Sequence, residues 1–280
     1  MRLSEFRGSS IEKLTCAGIE RPAYVVDMLI SKFADIPTAH IVTHADFDIP
    51  QDILHKIETA IEQRLQRVPL SYILGEAEFY GYKFKVGKGC LIPRPETELL
   101  AEKLLELAPN DAYFADWCTG SGCIAIAMLL ERPDFRGCAV DASKEALYWA
   151  EENRKLYKLE ERLELIENSK PSELKFDRPF DFIAANPPYI PSDEIPGLMK
   201  DVLEYEPEMA LNGGAEGVEI YELLFETLPE FIKRGGYFGF EIAGDKQAEI
   251  IKQKLPITLE ITAEIRDYSG ILRHLICIKK

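Results

Sequence analysis

A polar and aromatic tetrapeptide, Asn186-Pro187-Pro188-Tyr189, follows a short apolar segment, residues 180–185, that is typical of a buried strand. Each proline lacks an N–H group and disfavours helical backbone in the residue before it, so the chain leaves the strand with free carbonyl groups. In open α/β sheets, ligands bind at the edge formed by the carboxyl ends of the strands. The tetrapeptide is therefore a candidate site for substrate binding and catalysis.

These four residues suit a planar –NH2 group. The side-chain oxygen of Asn186 and the carbonyl of Pro187 can each accept one N–H bond, and the ring of Tyr189 can lie on the flat face of the group. An amide nitrogen is a poor nucleophile because its lone pair is delocalised. Two fixed acceptors return electron density to the nitrogen and orient it for in-line attack on a methyl sulfonium. The predicted chemistry is N-methylation that depends on S-adenosylmethionine.

A glycine-rich turn, residues 119–123, follows a second apolar segment, residues 112–118, and leads into an apolar helix. Glycines let the backbone approach a ligand closely, and a helix N-terminus offers free N–H groups. About 20 residues further on, Asp141 ends another predicted strand, where a carboxylate suits ribose hydroxyls. The pair indicates a nucleoside-bearing ligand but does not identify it, because residues 120–125 also fit the dinucleotide fingerprint.

Arg94 lies between Pro93 and Pro95, which hold the backbone extended before a helix that begins near Thr97. An arginine in this position can belong to a binding site or only to a stiffened helix start. The spacing alone leaves both interpretations open.

The elements that position these residues alternate between strand and helix from residue 112 to residue 255, which demands a mostly parallel sheet. Two further strands, residues 261–266 and 273–278, close the chain as an antiparallel hairpin. Before the alternation, residues 1–73 carry apolar side chains at helical spacing and predict four or five short helices.

The predicted fold is therefore α/β. It combines a doubly wound, mostly parallel sheet that ends in an antiparallel hairpin with a small all-α N-terminal domain. The predicted divisions are a helical recognition domain at 1–73, a β-hairpin linker at 74–90, and a methyltransferase domain at 91–280.

The chain of 280 residues has a formal charge of −15, and residues 201–232 contain nine Asp or Glu and no Lys or Arg. Such a surface repels nucleic-acid phosphate, whose binding depends largely on Lys and Arg, so we expect no direct contact with nucleic acid. The acidic segment is either a solvated face or a docking face for a basic protein.

The six cysteines are scattered without a C-x-x-C pair, which favours reduced thiols and a cytoplasmic location. The four histidines share no metal-ligand spacing, so no metal is expected. No apolar segment approaches the roughly 20 residues of a membrane span, and the first residues lack the apolar core of a signal peptide. We expect a monomer that is not associated with a membrane.

Several separated motifs resemble the protein-(glutamine-N5) methyltransferases of class-one peptide chain release factors. The tetrapeptide alone is moderately specific, because adenine-N6 DNA methyltransferases have a similar one. Its combination with the proline–arginine segment and a helical N-terminal domain is strongly specific. The matching residues are 93–98, Asp116, 119–122, Asp141, 186–189, Glu206-Pro207, Ala210-Leu211, Gly213-Gly214, Glu241, Gly244, Gln247, Asp267, Gly270 and Arg273.

The resemblance implies that residues 119–122 hold the methionine part of S-adenosylmethionine, with S-adenosylhomocysteine as product, and that Asp141 takes the ribose hydroxyls. It also implies that the substrate is the glutamine of the Gly-Gly-Gln loop of a release factor, which the helical domain grips away from that loop. The implied catalytic residues are Asn186, Pro187 and Tyr189, and those that bind or wall the substrate are Asn186, Pro187, Pro188, Tyr189 and Arg94. The implied cofactor-binding residues are Asp116, Cys118, Thr119, Gly120, Ser121, Gly122, Asp141, Asn168, Ser169, Lys170 and Asn186.

Two positions depart from the family pattern. The family usually has glycine where this chain has Cys118, so a side chain there narrows the room near the cofactor or points into the core. The family also places an acid and an aromatic residue after the third strand, beside adenine. Here the segment is Asn168-Ser169-Lys170-Pro171, in which Asn168 or Ser169 can bond the adenine edge but no aromatic wall is present.

Four alternative functions remain open at this point. A ribosomal-protein glutamine methyltransferase shares the tetrapeptide but has serine after the arginine that corresponds to Arg94. An N6-adenine DNA or RNA methyltransferase needs a basic face. A nicotinamide-dependent oxidoreductase is allowed by the glycine spacing, and a catalytically inactive binding module is allowed by the fold.

Overall fold

The structure is a computed structural model that describes all 280 residues, which divide into two compact units. The first unit contains residues 1–75 and 200–205, and the second contains residues 76–199 and 206–280. The chain therefore enters the first unit twice. The division predicted from the sequence does not contain this second passage.

The first unit is helical. Its core contains apolar side chains from three helices, among them Leu14, Val26 and Ile57. Residues 200–205 belong to this unit because Asp201 pairs with the buried Arg64 and the Tyr205 hydroxyl donates to the carbonyl of Gln66 at 2.6 Å. The helices are α1 (Leu3–Cys16), α2 (Pro22–Ala34), α3 (Gln51–Leu65), α4 (Leu70–Leu74) and α8 (Lys200–Tyr205).

The second unit begins with a two-stranded antiparallel hairpin that turns at Tyr80-Gly81, as the alternating pattern predicted. A seven-stranded sheet follows, with helices between its strands. The strands are β1 (Glu76–Phe79) and β2 (Tyr82–Lys85) in the hairpin, then β3 (Tyr113–Trp117), β4 (Arg136–Asp141), β5 (Leu163–Glu167), β6 (Phe180–Ala185), β7 (Ile232–Glu241), β8 (Leu259–Arg266) and β9 (Leu272–Lys279). The helices are α5 (Glu98–Leu107), α6 (Cys123–Glu131), α7 (Lys144–Leu156), α9 (Glu219–Phe231) and α10 (Asp245–Lys254).

The sheet order is β5-β4-β3-β6-β7-β9-β8. Strands β3 to β7 pair in parallel, whereas β9 pairs antiparallel with both β7 and β8. The predicted fold class, a mostly parallel sheet with a terminal antiparallel hairpin and an additional helical region, is confirmed. No helix combines the length and the apolar character that crossing a membrane requires.

The two central strands β3 and β6 position the site. They pair in parallel, with Trp117 opposite Ala185, so their carboxyl ends meet at one edge of the sheet. Both strands are almost entirely buried, which is why each appears in the sequence as a continuous apolar segment. The glycine turn and Asn186, which follow these strands, are brought together by this pairing.

Strand β7 differs from its prediction because it begins at Ile232 rather than at Gly236. Its pairing with β6 is irregular between Phe180 and Phe182. Gly235 has a φ of 75°, and a Cβ on Gly236 would lie 2.6 Å from the carbonyl oxygen of Asp181. The glycine pair is thus part of a bulged strand and does not precede one.

Candidate active site

A cavity of about 310 Å³ lies at the carboxyl ends of β3, β4 and β6. Ten of the residues predicted for the site line it, and five do not. The lining residues are Arg94, Cys118, Thr119, Gly120, Ser121, Asp141, Asn168, Ser169, Asn186 and Pro188. The five outside the lining are Asp116, Gly122, Lys170, Pro187 and Tyr189.

The glycine turn forms one wall of the cavity. Cys118, Gly120 and Gly122 have φ values of 59°, 58° and 79°, so three of five successive residues adopt the left-handed conformation. Glycine adopts this conformation without steric cost, but Cys118 does not. A Cβ on Gly120 would meet no atom within 4 Å, so the turn leaves open space at this residue.

Asp141 joins the turn to the end of β4. One carboxylate oxygen accepts from the backbone N–H of Gly120 at 2.8 Å, and the other accepts from the N–H of Ser143 at 2.9 Å. Burial raises the pKa of Asp141, and the backbone N–H groups oppose this effect. Each oxygen keeps a second lone pair, which a hydroxyl group in the cavity can use.

Asp116 lies beneath the turn, with no exposure to solvent. Its Oδ2 accepts from the Thr119 hydroxyl at 2.5 Å and from the Ala125 N–H at 3.2 Å, whereas its Oδ1 has no partner. Burial raises the pKa of Asp116 from 3.8 to about 7, while the two hydrogen bonds act in the opposite direction. The structure thus gives Asp116 contacts that support the turn from below.

The other side of the turn is supported by Asn153, a fully buried residue of α7. Its Nδ2 donates to the carbonyls of Ser121, at 2.9 Å, and Lys85, at 3.0 Å, and its Oδ1 accepts from the N–H of Lys85 at 2.7 Å. One side chain therefore connects the glycine turn to strand β2. A lone Asn within a helical pattern carries no signal, so the role of Asn153 could not be predicted from the sequence.

Asn186 extends from the end of β6, and its side chain contacts a buried polar group. Its Nδ2 donates to the Thr97 hydroxyl oxygen at 3.2 Å. Thr97 in turn donates to Glu241 Oε2 at 2.6 Å. Both Thr97 and Glu241 are 2% exposed.

Tyr189 is bound to the same carboxylate. Its hydroxyl donates to Glu241 Oε1 at 3.1 Å, and His274 Nε2 lies 3.3 Å from Oε2. Burial, and then the charge of Glu241, raise the pKa of Tyr189 well above its ordinary value, so the hydroxyl remains a donor. The ring is consequently held outside the cavity lining, whereas the sequence predicted that it would lie on the substrate amide.

The backbone of the tetrapeptide is held from the other side by residues 211–214. Ile190 N–H donates to the carbonyl of Leu211, and Gly213 N–H donates to the carbonyl of Ile190, both at 2.9 Å. Gln247 adds a side-chain N–H bond of 2.9 Å to the carbonyl of Tyr189. A Cβ on Gly213 would lie 2.8 Å from the Pro188 carbonyl oxygen, so only glycine permits this approach.

Arg94 lines the cavity, but its guanidinium is already paired. It donates to the Glu206 carboxylate at 2.7 Å and to the carbonyl of Ile92 at 3.0 Å. Glu206 also accepts from the N–H of Ile92 at 3.0 Å, and its side chain is 2% exposed. The pair therefore fixes the proline–arginine segment against the cavity.

The wall near Asn168 is aliphatic. Asn168 Oδ1 accepts from the N–H of Lys170 at 2.8 Å, and Pro171 begins a 3₁₀ turn that packs against α9. Pro171, Leu223 and Leu224 line the cavity. A proline and two leucines therefore form this part of the lining, and residues 168–171 contain no aromatic side chain.

Three functional residues were recognised only as matching positions, without a role. Thr97, Glu206 and Glu241 are buried polar residues that contact Asn186 or Arg94 directly or through one another. For Glu241 the sequence offered one signal, an acid at the end of a predicted strand, since Glu241 ends β7 as Asp141 ends β4.

The residues present fit a cofactor with a nucleoside and a charged chain. Two buried oxygens beside the glycine turn, Asp116 Oδ1 and Ser121 Oγ, have no partner in the chain. The Asp141 carboxylate has lone pairs to spare, and the wall beyond Asn168 is apolar. The cavity lining thus combines polar groups, a carboxylate that can bind hydroxyl groups and an apolar part.

Two family models match separate parts of the chain. A family model described as the PrmC N-terminal domain matches residues 9–75, and one described as the methyltransferase small domain matches residues 95–214. A release factor glutamine methyltransferase from Thermodesulfovibrio yellowstonii is 37% identical over 83% of this chain and 84% of its own. The protein of the same name from Aquifex aeolicus is 34% identical over 89% of each chain.

Among solved structures, the ribosomal protein L11 methylase from Lactobacillus delbrueckii subsp. bulgaricus superimposes with a TM-score of 0.52 at 24% sequence identity. The match covers 70% of this chain and 85% of that one. At this identity the likeness concerns the fold, and it agrees with the observed sheet.

Proposed function

The chain belongs to the family of release factor glutamine methyltransferases, and from this premise we propose that it methylates the side-chain amide nitrogen of a glutamine in a class-one peptide chain release factor. The glutamine is that of the Gly-Gly-Gln loop, and the methyl donor is S-adenosylmethionine. The observation that carries the proposal is the position of Asn186, whose side chain lines the same cavity as the glycine turn and Asp141.

The residues that would hold the cofactor lie in the glycine turn, at Asp141 and in the aliphatic wall near Asn168. The turn of residues 119–122, which lines the cavity through Thr119, Gly120 and Ser121, suits the charged methionine part, and Asp141 suits the ribose hydroxyls. The aliphatic wall of Pro171 and the α9 leucines suits the adenine ring. When bound, S-adenosylmethionine supplies a methyl group on a positively charged sulfur, which is open to attack by a nitrogen lone pair.

The tetrapeptide binds and orients the substrate amide. Asn186 Oδ1 and the Pro187 carbonyl accept no hydrogen bond from the chain, so both can accept one from the substrate –NH2 group. Two such bonds fix the plane of the substrate amide. They leave the nitrogen lone pair pointing toward the part of the cavity that would hold the methyl donor. Orientation of this kind can supply several kcal/mol of the barrier, roughly 7 or more in well-aligned cases.

No residue in the lining serves as a strong general base, and none is needed. An amide nitrogen that carries a fourth substituent has a strongly acidic N–H, so its proton can pass to water and would need no strong base of the chain. The buried and paired carboxylates Glu241 and Glu206 are occupied in holding Thr97 and Arg94. Catalysis by this chain therefore rests on positioning and on the electrostatics of the two acceptors.

Recognition of a whole protein requires a surface beyond the cavity. The family model described as the PrmC N-terminal domain matches residues 9–75, which form most of the helical unit. We assign to the helical unit the binding of the release factor at a surface away from the Gly-Gly-Gln loop. Because the proposed substrate takes part in translation, we also propose a cytoplasmic location for the protein.

The direct test is incubation of the purified protein with radiolabelled S-adenosylmethionine and a release factor, followed by mass-spectrometric mapping of the methyl group. We expect one methyl group on the Gly-Gly-Gln glutamine and none on a substrate protein in which that glutamine is replaced by alanine. Label on another residue of the release factor, or label on ribosomal protein or DNA that is supplied in parallel reactions, would reject the proposal. The thermal midpoint is also measured with S-adenosylmethionine and with NAD. A rise with S-adenosylmethionine alone indicates a methyltransferase, and a rise with NAD alone indicates an oxidoreductase.

A further inference from the structure

The hydrogen bonds around Thr97 determine which way the Asn186 amide faces. Thr97 Oγ1 makes two contacts, one of 2.6 Å with Glu241 Oε2 and one of 3.2 Å with Asn186 Nδ2. Thr97 is 2% exposed, so water does not compete for its hydroxyl. The oxygen and nitrogen of an Asn amide have nearly the same shape, and their assignment therefore depends on such a network.

Proton counting settles the assignment. A threonine hydroxyl has one proton, and an ionised carboxylate can only accept. Because Glu241 also accepts from the Tyr189 hydroxyl at 3.1 Å, the Thr97 proton goes to Glu241 and the Thr97 oxygen is left as an acceptor. Asn186 must then present its –NH2 group to Thr97, and its Oδ1 faces the other way, into the cavity that Asn186 lines.

We propose, on the basis of the proposed function, that Thr97 is a positioning residue, held by Glu241, that keeps the Asn186 amide in the orientation that accepts from an –NH2 group. The same orientation excludes a carboxylate, because a glutamate in place of the substrate glutamine would place an anionic oxygen against Asn186 Oδ1. Thr97 thus contributes to the discrimination of glutamine from glutamate through the orientation of the Asn186 amide.

The surrounding groups support this division of roles. Glu241 is held in place from three sides, by Thr97, by Tyr189 and by His274 Nε2 at 3.3 Å, and its backbone carbonyl accepts from Tyr221 at 2.6 Å. A carboxylate with this many fixed contacts does not turn away from Thr97. The orientation of Asn186 is therefore determined by the fold before a substrate arrives.

The test compares two substitutions of one residue. Thr97→Val keeps the shape of the side chain but removes the hydroxyl, whereas Thr97→Ser keeps the hydroxyl. Three quantities are measured for each: the Kd for S-adenosylmethionine, the single-turnover rate with the release factor, and inhibition by a release factor that carries glutamate at the target position.

In Thr97→Val the Asn186 amide is free to turn and to donate to a carboxylate. We expect the transfer rate to fall about tenfold, as for loss of one orienting hydrogen bond, with the Kd for the cofactor unchanged within a factor of two. The glutamate-bearing release factor should inhibit this variant about tenfold better, relative to substrate, than it inhibits the wild type. Thr97→Ser should restore both rate and selectivity to within about threefold of the wild type.

A merely structural role would lower the rate without changing the preference for glutamine over glutamate, and that result would overturn the inference. If Thr97→Val does not fold, Glu241→Gln serves instead. A glutamine amide can donate to the Thr97 oxygen, and the Thr97 hydroxyl proton is then free to turn toward Asn186. Unchanged selectivity in Glu241→Gln would equally reject the inference. Failure of the wild type to methylate the release factor rejects the proposed function, and with it the inference, whereas normal wild-type activity with unaltered variants rejects the inference alone.

Discussion

Gly213 is the residue whose substitution tests most sharply how the tetrapeptide backbone is held. Its φ lies outside the left-handed region, so alanine can adopt the backbone conformation. The added Cβ, however, would lie 2.8 Å from the Pro188 carbonyl oxygen and 2.8 Å from the Tyr189 Cα. Both neighbours are backbone atoms, which cannot turn away as a flexible side chain can.

The expected magnitude follows from these distances. Ordinary contact begins at 3.4 Å, so the backbone of Pro188 and Tyr189 must move by about 0.6 Å, or Gly213 must move away from it. Overpacking of this kind costs about 1–3 kcal/mol. A misplacement of about 1 Å at a reacting group can cost about a hundredfold in rate, so we expect Gly213→Ala to lower methyl transfer by about tenfold to a hundredfold.

Three measurements check this expectation: the thermal midpoint, the Kd for S-adenosylmethionine by calorimetry, and the single-turnover rate of methyl transfer. A loss of 1–3 kcal/mol should lower the midpoint by several degrees, at about 2–4 °C for each kcal/mol in a domain of this size. The Kd should change little, because Gly213 does not line the cavity.

The matched control is Gly197→Ala. A Cβ on Gly197 would meet no atom within 4 Å, and its φ is also outside the left-handed region. Both rate and midpoint should stay close to those of the wild type. Equal behaviour of Gly213→Ala and Gly197→Ala would refute the claim that residues 211–214 fix the tetrapeptide.

Three further substitutions test the glycine turn and its supports. For Asp116, whose folded pKa of about 7 exceeds the ordinary 3.8, the stabilising contribution is present below about pH 4 and is lost as the pH rises through 7, by at most about 4 kcal/mol. Urea unfolding of Asp116→Asn should therefore show a gain of about 2 kcal/mol relative to wild type between pH 5.5 and 8.5, and a parallel pH dependence of the two proteins would contradict the burial argument. Cys118→Gly relieves a left-handed residue (φ 59°) and should raise the free energy of unfolding by up to about 1 kcal/mol, whereas a decrease would show that packing of the thiol outweighs the strain. Asn153→Leu leaves the Lys85 and Ser121 backbone groups unpaired, so we expect a loss of about 3 kcal/mol and weaker cofactor binding by calorimetry; cofactor affinity equal to wild type would separate the turn from this support.

The sequence was sufficient for features that depend on local pattern. The apolar segment before Asn186 predicted a strand at 180–185, and the strand occupies those residues, because a central parallel strand is buried on both faces. Ten of the predicted site residues line one cavity, since turns that follow adjacent parallel strands emerge at the same edge.

Contacts between residues far apart in the chain were not predictable in the same way. Thr97 and Glu241 are 144 residues apart, and their hydrogen bond depends on how α5 packs against β7. The spacing around Arg94 left open whether it belongs to a binding site, and it gave no sign of Glu206, which pairs with Arg94 from 112 residues later. Short-range periodicity carries no information about such partners.

The return of residues 200–205 to the helical unit was missed for a similar reason. The segment is a six-residue helix with little pattern of its own, and its position depends on the Asp201 pair with Arg64. Strand β7 was predicted too short because Gly235 and Gly236 indicate a break, whereas the strand continues through them as a bulge.

The central claim is that Asn186 binds the amide that accepts the methyl group, and the most direct measurement compares Asn186→Ala with the wild type in cofactor binding and in methyl transfer to the release factor. We predict that the Kd for S-adenosylmethionine stays within about threefold of the wild-type value while transfer falls by a hundredfold or more, in keeping with loss of a transition-state acceptor worth about 3 kcal/mol. Asn186→Ala that transfers methyl groups at a rate near that of the wild type, or that no longer binds the cofactor, would contradict the claim.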